Sequence, residues 1–298
     1  MTDGQANAGV WSPNVTGAML MMASMACFTV NDALIKATGG ALPLFQLLVL
    51  RGVLATLLIA FLAGSRGAFC VKASRRDWAL IILRSLSEVG AAYFFVTALL
   101  NMPLANITAI LQVLPLTVTL GSALIFREAI GWRRMTAILI GFCGMLLIVR
   151  PGLEGFTQWS LYALIAVLCV TARDLSTRRI SPQVPSLLVT FSASLTVLIA
   201  AGLASLSIEW APITSGLGGL IAASSFFIVG GYFFSVQVMR AGDVSFIAPF
   251  RYTGLIWALL LGWVVFGEWP GMMTLLGAGI IVATGLFTLY RERALMRG

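Results

Sequence analysis

Seven ionisable residues sit inside, or at the ends of, stretches that are otherwise almost wholly apolar: Asp32, Arg51, Arg84, Glu88, Arg173, Asp174 and Arg251. A charge near the centre of a bilayer costs a few kcal/mol even on insertion scales, so such groups face one another or a wet interior. The chemistry open to them is the binding of charged solutes and the carriage of protons. Arg84 and Glu88 lie four residues apart on one helix face and can neutralise each other. Glu88 stands about ten residues into its stretch, roughly 15 Å deep. It is either the structural partner of Arg84 or the acceptor for a substrate ammonium or a proton. Arg251 has no acid at helical spacing, so its partner is a substrate carboxylate, a backbone carbonyl or Glu88. Asp32 precedes Lys36, and Asp174 precedes Arg178, by four positions. That is the favourable order for an ion pair on a helix, and the two acids either anchor helix ends or form two gates.

Two prolines fall inside apolar stretches. Pro115 is expected to free the carbonyl of Leu111 and Pro249 that of Ser245, each kinking its helix. Both are read as hinges, with Gln112 and Tyr252 beside the kinks as cavity residues. Aromatic residues gather in the same stretches: Tyr93 with Phe94 and Phe95, Tyr232 with Phe233 and Phe234, and Phe250 with Tyr252 and Trp257. Tyr93, Tyr232 and Trp257 suit the wall of an amphipathic pocket.

Other chemistries are missing. There is no histidine, which removes the usual metal ligand and the commonest general base. The chain has no G-x-x-x-x-G-K-[ST] phosphate loop and no G-x-S-x-G elbow, the signatures of two common catalytic machineries. Its four cysteines have no metal-binding spacing. The chain therefore reads as no enzyme, with no metal and no cofactor.

The elements that position these residues follow from composition. Apolar residues make up 59% of the chain and charged residues 10%, against about 25% charged in a soluble domain. Ten runs are long enough to cross a bilayer as helices, at roughly 16–36, 44–64, 78–100, 104–125, 133–150, 158–177, 184–206, 214–239, 244–266 and 271–290. Small residues at Ala137, Gly141, Gly144, Gly277 and Gly279 permit close helix approach in the fifth and tenth runs, within one chain or between two.

The runs form two copies. Cys27-Phe-Thr-Val-Asn-Asp32 matches Cys169-Val-Thr-Ala-Arg-Asp174 at an offset of 142, and Pro43 matches Pro185 at the same offset. Tyr93 matches Tyr232 at 139, Phe126-Arg-Glu128 matches Phe266-Gly-Glu268 at 140, and Gly144 matches Gly285 at 141. Five crossings per copy is an odd number, so the second copy enters from the opposite face and the repeats are inverted. Thirteen basic residues fall in loops and tail on the face of the N-terminus. Only Lys36 and Arg150 fall on the other. The positive-inside rule then places both termini in the cytoplasm, with residues 1–15 and 291–298 as tails and the repeats at 16–150 and 151–290. The same asymmetry accounts for the net charge of +8 and implies no nucleic-acid partner. The partners are a small solute and the lipid bilayer.

The order and spacing of Asn31-Asp32, Arg173-Asp174, Arg51 and the two Phe-x-Glu endings, each followed by a Gly-rich run, resemble the drug/metabolite transporter superfamily in its EamA-type branch. In overall sequence the chain is most similar to YddG-type amino-acid exporters. The resemblance implies a secondary transporter in a bacterial inner membrane. It would export amino acids, aromatic ones included, by alternating access. A metabolite or phosphate-ester exchanger is the alternative, and an intramembrane enzyme a weaker one. The orientation is testable. An impermeant thiol reagent applied outside cells should leave a cysteine placed in the loop after the second crossing unlabelled, and should label one placed after the seventh.

Overall fold

Inside hydrocarbon no water satisfies backbone amides, so a crossing segment must bond its own, as an α-helix does. The computed structural model describes residues 13–70, 73–127, 131–150, 157–238 and 247–296, and among them there are helices and no strands. The helices are α1 (Pro13–Lys36), α2 (Leu44–Ser65), α3 (Arg75–Asn101), α4 (Leu104–Leu111), α5 (Leu114–Phe126), α6 (Trp132–Val149), α7 (Gln158–Arg178), α8 (Ser186–Ser205), α9 (Ser215–Val238), α10 (Thr253–Phe266) and α11 (Met272–Met296). A 3₁₀ segment, Ala248–Tyr252, leads into α10. Prolines stand at helix starts, where their missing N–H is not needed: Pro43, Pro103 and Pro185 are the N-caps of α2, α4 and α8. Ser74 and Asp77 form a capping box at the start of α3.

Large apolar side chains such as Phe61, Leu124 and Val264 point outward and stay exposed, as lipid-facing residues must. Eight crossings come from helices of at least eighteen residues, and the fifth and tenth from the shorter apolar stretches Met135–Val149 and Met272–Thr288. The protein is an all-α membrane protein of ten transmembrane helices in two inverted five-helix repeats.

The symmetry is visible in the packing. Crossing one (α1) packs on crossing eight (α9), and crossing three (α3) on crossing six (α7). Crossings two and seven (α2, α8), four and nine (α4, α10), and five and ten (α6, α11) pack on each other. Exchanging each crossing for its repeat mate returns the same set of pairs. The interfaces between repeats are tied by polar bonds: Ser24 donates to the Gly231 carbonyl at 2.8 Å, Thr56 and Ser194 share a bond of 2.7 Å, and so do Thr117 and Thr171.

The two central crossings use the same device. At the α3–α7 contact the Cys169 sulfur lies 2.9 Å from where a Cβ on Gly90 would stand. At the α1–α9 contact the Cys27 sulfur lies 3.5 Å from the same point on Gly230. Gly90 and Gly230 are 140 residues apart. The thiols act as knobs over glycine holes, a packing use of cysteine.

Crossings four and nine are broken, and not where their prolines suggest. The first interruption falls at Gln112–Val113, between α4 and α5. Pro115 sits in the first turn of α5, a position that needs no helical N–H bond, so it begins a helix and does not kink one. The second falls where the 3₁₀ segment passes into α10, at Tyr252–Thr253. Pro249 lies in that segment's first turn, and Ser245 lies outside the described residues. Both interruptions occur 140 residues apart.

The close approach of crossings five and ten is within one chain. A Cβ on Gly277 would stand 2.4 Å from the Gly144 carbonyl oxygen, and one on Gly144 2.9 Å from that of Gly277. Backbone cannot yield as a flexible side chain does. Gly277→Val should therefore lower stability by about 1–3 kcal/mol or more through overpacking, read as a lower melting temperature of the purified protein. Gly279→Ala, with open space around its Cβ position, should leave that temperature unchanged.

Candidate functional site

Charged side chains from both repeats meet between α1, α2, α3, α7 and α9. Glu88 lies midway along α3. Its nearest cation is Arg173 of α7, whose Nη1 is 3.4 Å from each carboxylate oxygen. Arg84, the partner expected from helical spacing, is 3.9 Å away. Its donors go instead to Thr177 Oγ1 at 3.2 Å and the Val189 carbonyl at 3.4 Å. Arg173 Nε also donates to Asp174 at 2.9 Å. Tyr232 of α9 lies within electrostatic reach of Glu88, Arg173, Arg84 and Arg51, and its ring meets Phe28 edge-on at 5.4 Å. Arg51 of α2 is within reach of Asp32, Glu88 and Tyr232. Three arginines and three carboxylates thus balance at membrane depth. The side chains of Arg173, Glu88 and Asp174 are 21%, 18% and 28% exposed, and groups so placed line an internal wet space.

The sequential pairs expected for the two aspartates are not formed. Asp32 accepts from Asn31 Nδ2 at 2.8 Å, as Asp174 accepts from Arg173. In each repeat the residue before the acid turns back onto it. Lys36 is thereby released for another partner, Glu268, at 3.1 Å. It also donates to the Met102 carbonyl at the end of α3 and stands 5.5 Å from the Phe266 ring centre. Glu268 accepts from the Leu104 N–H at 3.0 Å, the first amide of α4. A cation thus sits at one helix C-terminus and an anion at the next N-terminus, each where the backbone dipole favours it. Gly267 makes this possible: with φ of 66° it ends α10 in the left-handed conformation, and turns Glu268 back over α4. Beside this latch, Gln46 exchanges two hydrogen bonds with the backbone of Ala211, at 2.8 and 2.9 Å.

The opposite face carries the mirror elements. Arg178, the repeat mate of Lys36, donates to Ser122 at 2.6 Å. The Arg179 guanidinium lies 3.9 Å from the ring centre of Phe126, the mate of Phe266. Glu128 lies outside the described residues.

The remaining sequence candidates divide into groups. Tyr93 stacks on Phe45 at 6.0 Å and joins Phe94, Tyr162 and Trp159 in an aromatic cluster between α2, α3 and α7. Gln112 is buried at the break in crossing four, beside Gly254 of α10. Tyr252 is buried, with its hydroxyl in the notch left by Gly285 on α11. The Tyr252 hydroxyl and the Trp257 indole N–H are buried without a hydrogen-bond partner. Arg251 has Tyr252 in electrostatic reach and lies away from the paired charges. Sequence reasoning left out Arg173 as the partner of Glu88 and Glu268 as the partner of Lys36. Both had a signal: Arg173 occupies the repeat position of Asn31, and Glu268 closes a Phe-x-Glu ending.

Comparison with known proteins bears on what such a bundle does. The description "EamA-like transporter family" matches residues 15–150 and again 157–290. The chain belongs to this family. It is 26% identical over 292 residues to the pseudopaline exporter CntI of Pseudomonas aeruginosa, covering 93% of this chain and 97% of that one. It is 24% identical over 289 residues to the S-adenosylmethionine uptake transporter of Rickettsia prowazekii, covering 95% of each. A riboflavin transporter of Vibrio cholerae is 29% identical over 212 residues, 68% of each chain. One crystal structure superimposes with a TM-score of 0.62 at 17% identity, over 94% of this chain and 99% of that one, which shows the shared fold. The protein is a multi-pass membrane transporter of small molecules.

The geometry around Glu88 sets the outcome of a double-mutant cycle. Removing one partner of a buried pair leaves an uncompensated charge, whereas removing both does not. Glu88→Gln should couple to Arg173→Met by about 1–3 kcal/mol, and to Arg84→Met by less, because Arg84 keeps Thr177 and Val189. Melting temperatures of the single and double variants measure this. Equal coupling to both arginines would return Glu88 to Arg84.

Proposed function

We propose that the protein exports amino acids and similar small amphipathic zwitterions by alternating access. The observation that carries this reading is the balanced cluster of three arginines and three carboxylates, drawn from both repeats and partly exposed at membrane depth. A zwitterion brings one charge of each sign and no net charge, so it can enter such a cluster without leaving an unpaired ion. The aromatic cluster around Tyr93 and the Tyr232 ring supply apolar faces for a side chain. The relatives support the class. S-adenosylmethionine, named for one of them, carries an α-amino acid group, and riboflavin, named for another, is a flat aromatic solute. Export rests on the loop charges, which set the cytoplasmic face, and on the pseudopaline exporter among the relatives.

The Lys36–Glu268 latch closes the face opposite the termini in this reading. Crossings four and nine, broken at equivalent depths, bend to open one face while the other is bridged. Asp32 and Asp174 serve within the cluster between these gates. Pro115 and Pro249 set the start of each half-helix. A phosphate-ester exchanger would need several convergent cations free of carboxylates, and here each of Arg51, Arg84 and Arg173 has an acid beside it.

The test is reconstitution in liposomes with radiolabelled amino acids, sugars, nucleotides and riboflavin, with and without a pH gradient. Movement of amino acids, aromatic ones among them, is the expected result. Liposomes that move sugars or nucleotides and no amino acid would falsify the proposal.

A further inference from the structure

The arginines at membrane depth are not equivalent. Arg84 spends its donors on Thr177 and Val189, and Arg173 on Asp174 and Glu88. The Arg51 side chain makes no hydrogen bond and no ion pair among the described residues, although it is partly exposed and lies within electrostatic reach of Asp32, Glu88 and Tyr232. Its own backbone is held across the repeats, with the Arg51 carbonyl accepting from Ser225 Oγ at 3.3 Å. The nearby acids are already engaged, Asp32 by Asn31 and Glu88 by Arg173. A guanidinium offers five N–H donors in a planar fork. At this depth, donors without acceptors are costly, and a carboxylate entering from the cavity is the group that fits the fork in bidentate fashion. Arg251 has no acid in its surroundings to receive the other end of a zwitterion, whereas Arg51 has two.

We propose that Arg51 is the residue that reads the substrate's carboxylate, with the substrate's ammonium, on the adjoining carbon, falling towards Glu88 and Asp32. This rests on the amino-acid reading above and deepens it. Arg51 then sets a specificity rule: solutes need both charges on neighbouring atoms. A primary amine of the same side chain fills the aromatic region and meets the acids but leaves the fork of Arg51 empty.

The experiment is binding of radiolabelled phenylalanine to the purified protein in lipid nanodiscs, with competition by phenethylamine, which lacks the carboxylate. Wild type should bind phenylalanine about 10- to 100-fold more tightly than phenethylamine, the range for a charge-assisted hydrogen-bonded pair. In Arg51→Gln the affinity for phenylalanine should fall to that for phenethylamine, while the affinity for the amine stays as in wild type. Arg51→Lys, which keeps the charge and loses the fork, should fall between. It also stands in if the glutamine variant does not fold. A merely structural role for Arg51 would weaken both ligands together. That result, or a variant that keeps the wild-type ratio, overturns the assignment to Arg51 and leaves the amino-acid reading intact. Absence of any amino-acid binding to wild type overturns both.

Discussion

Hydrocarbon offers no water to a charge or an amide, and the arrangement of this protein follows from that constraint. Every charged group carried into the bilayer must find its complement inside the bundle. Here the complements come from different crossings and, at the centre, from different repeats: Glu88 of the first meets Arg173 of the second. An ion pair of this kind holds two halves together only as long as nothing better enters. The same contact that stabilises the closed bundle therefore marks the place where a charged solute can compete, and the site and the seam between the repeats coincide.

The two faces are managed by the ends of helices. Lys36 and Glu268 form a pair, and each also completes a helix terminus, the end of α3 and the start of α4. Such a latch depends on the relative position of three crossings and is lost when any one of them moves. The interruptions at Gln112–Val113 and Tyr252–Thr253 give crossings four and nine a place to bend without the cost of breaking a continuous hydrogen-bonded ladder. Rigid contacts surround these movable parts. Crossings five and ten are locked backbone to backbone at Gly144 and Gly277, and the thiols of Cys27 and Cys169 seat two central crossings on glycines.

Inverted repeats need not be chemically equal. Asn31 and Arg173 occupy matching positions and make the same turn onto the following aspartate, yet one is neutral and the other charged. The extra cation reaches Glu88, for which the second repeat has no acidic counterpart. The pseudo-symmetry therefore governs the backbone and the latches, while the charged site is asymmetric. Members of one family that are named for solutes as unlike as S-adenosylmethionine and riboflavin fit this division: a common moving frame can carry different side chains at its centre.

Much of this was legible in the residues alone. Ten crossings, two copies and their inversion follow from hydropathy and an odd count, because the bilayer acts on each segment by itself and leaves its mark in local composition. The ionisable residues could also be singled out, since a charge in an apolar run is conspicuous without any partner in view. Their pairing could not. Helical spacing puts Arg84 beside Glu88 and Lys36 beside Asp32, and both assignments lose to partners 85 and 232 residues away in sequence, Arg173 and Glu268. Spacing reports only which groups share a face of one helix. Which of several cations comes nearest an acid depends on how helices cross, and a difference of half an ångström, 3.4 Å against 3.9 Å for the two partners of Glu88, is decided by knobs and holes such as Cys169 on Gly90 that only the assembled bundle contains.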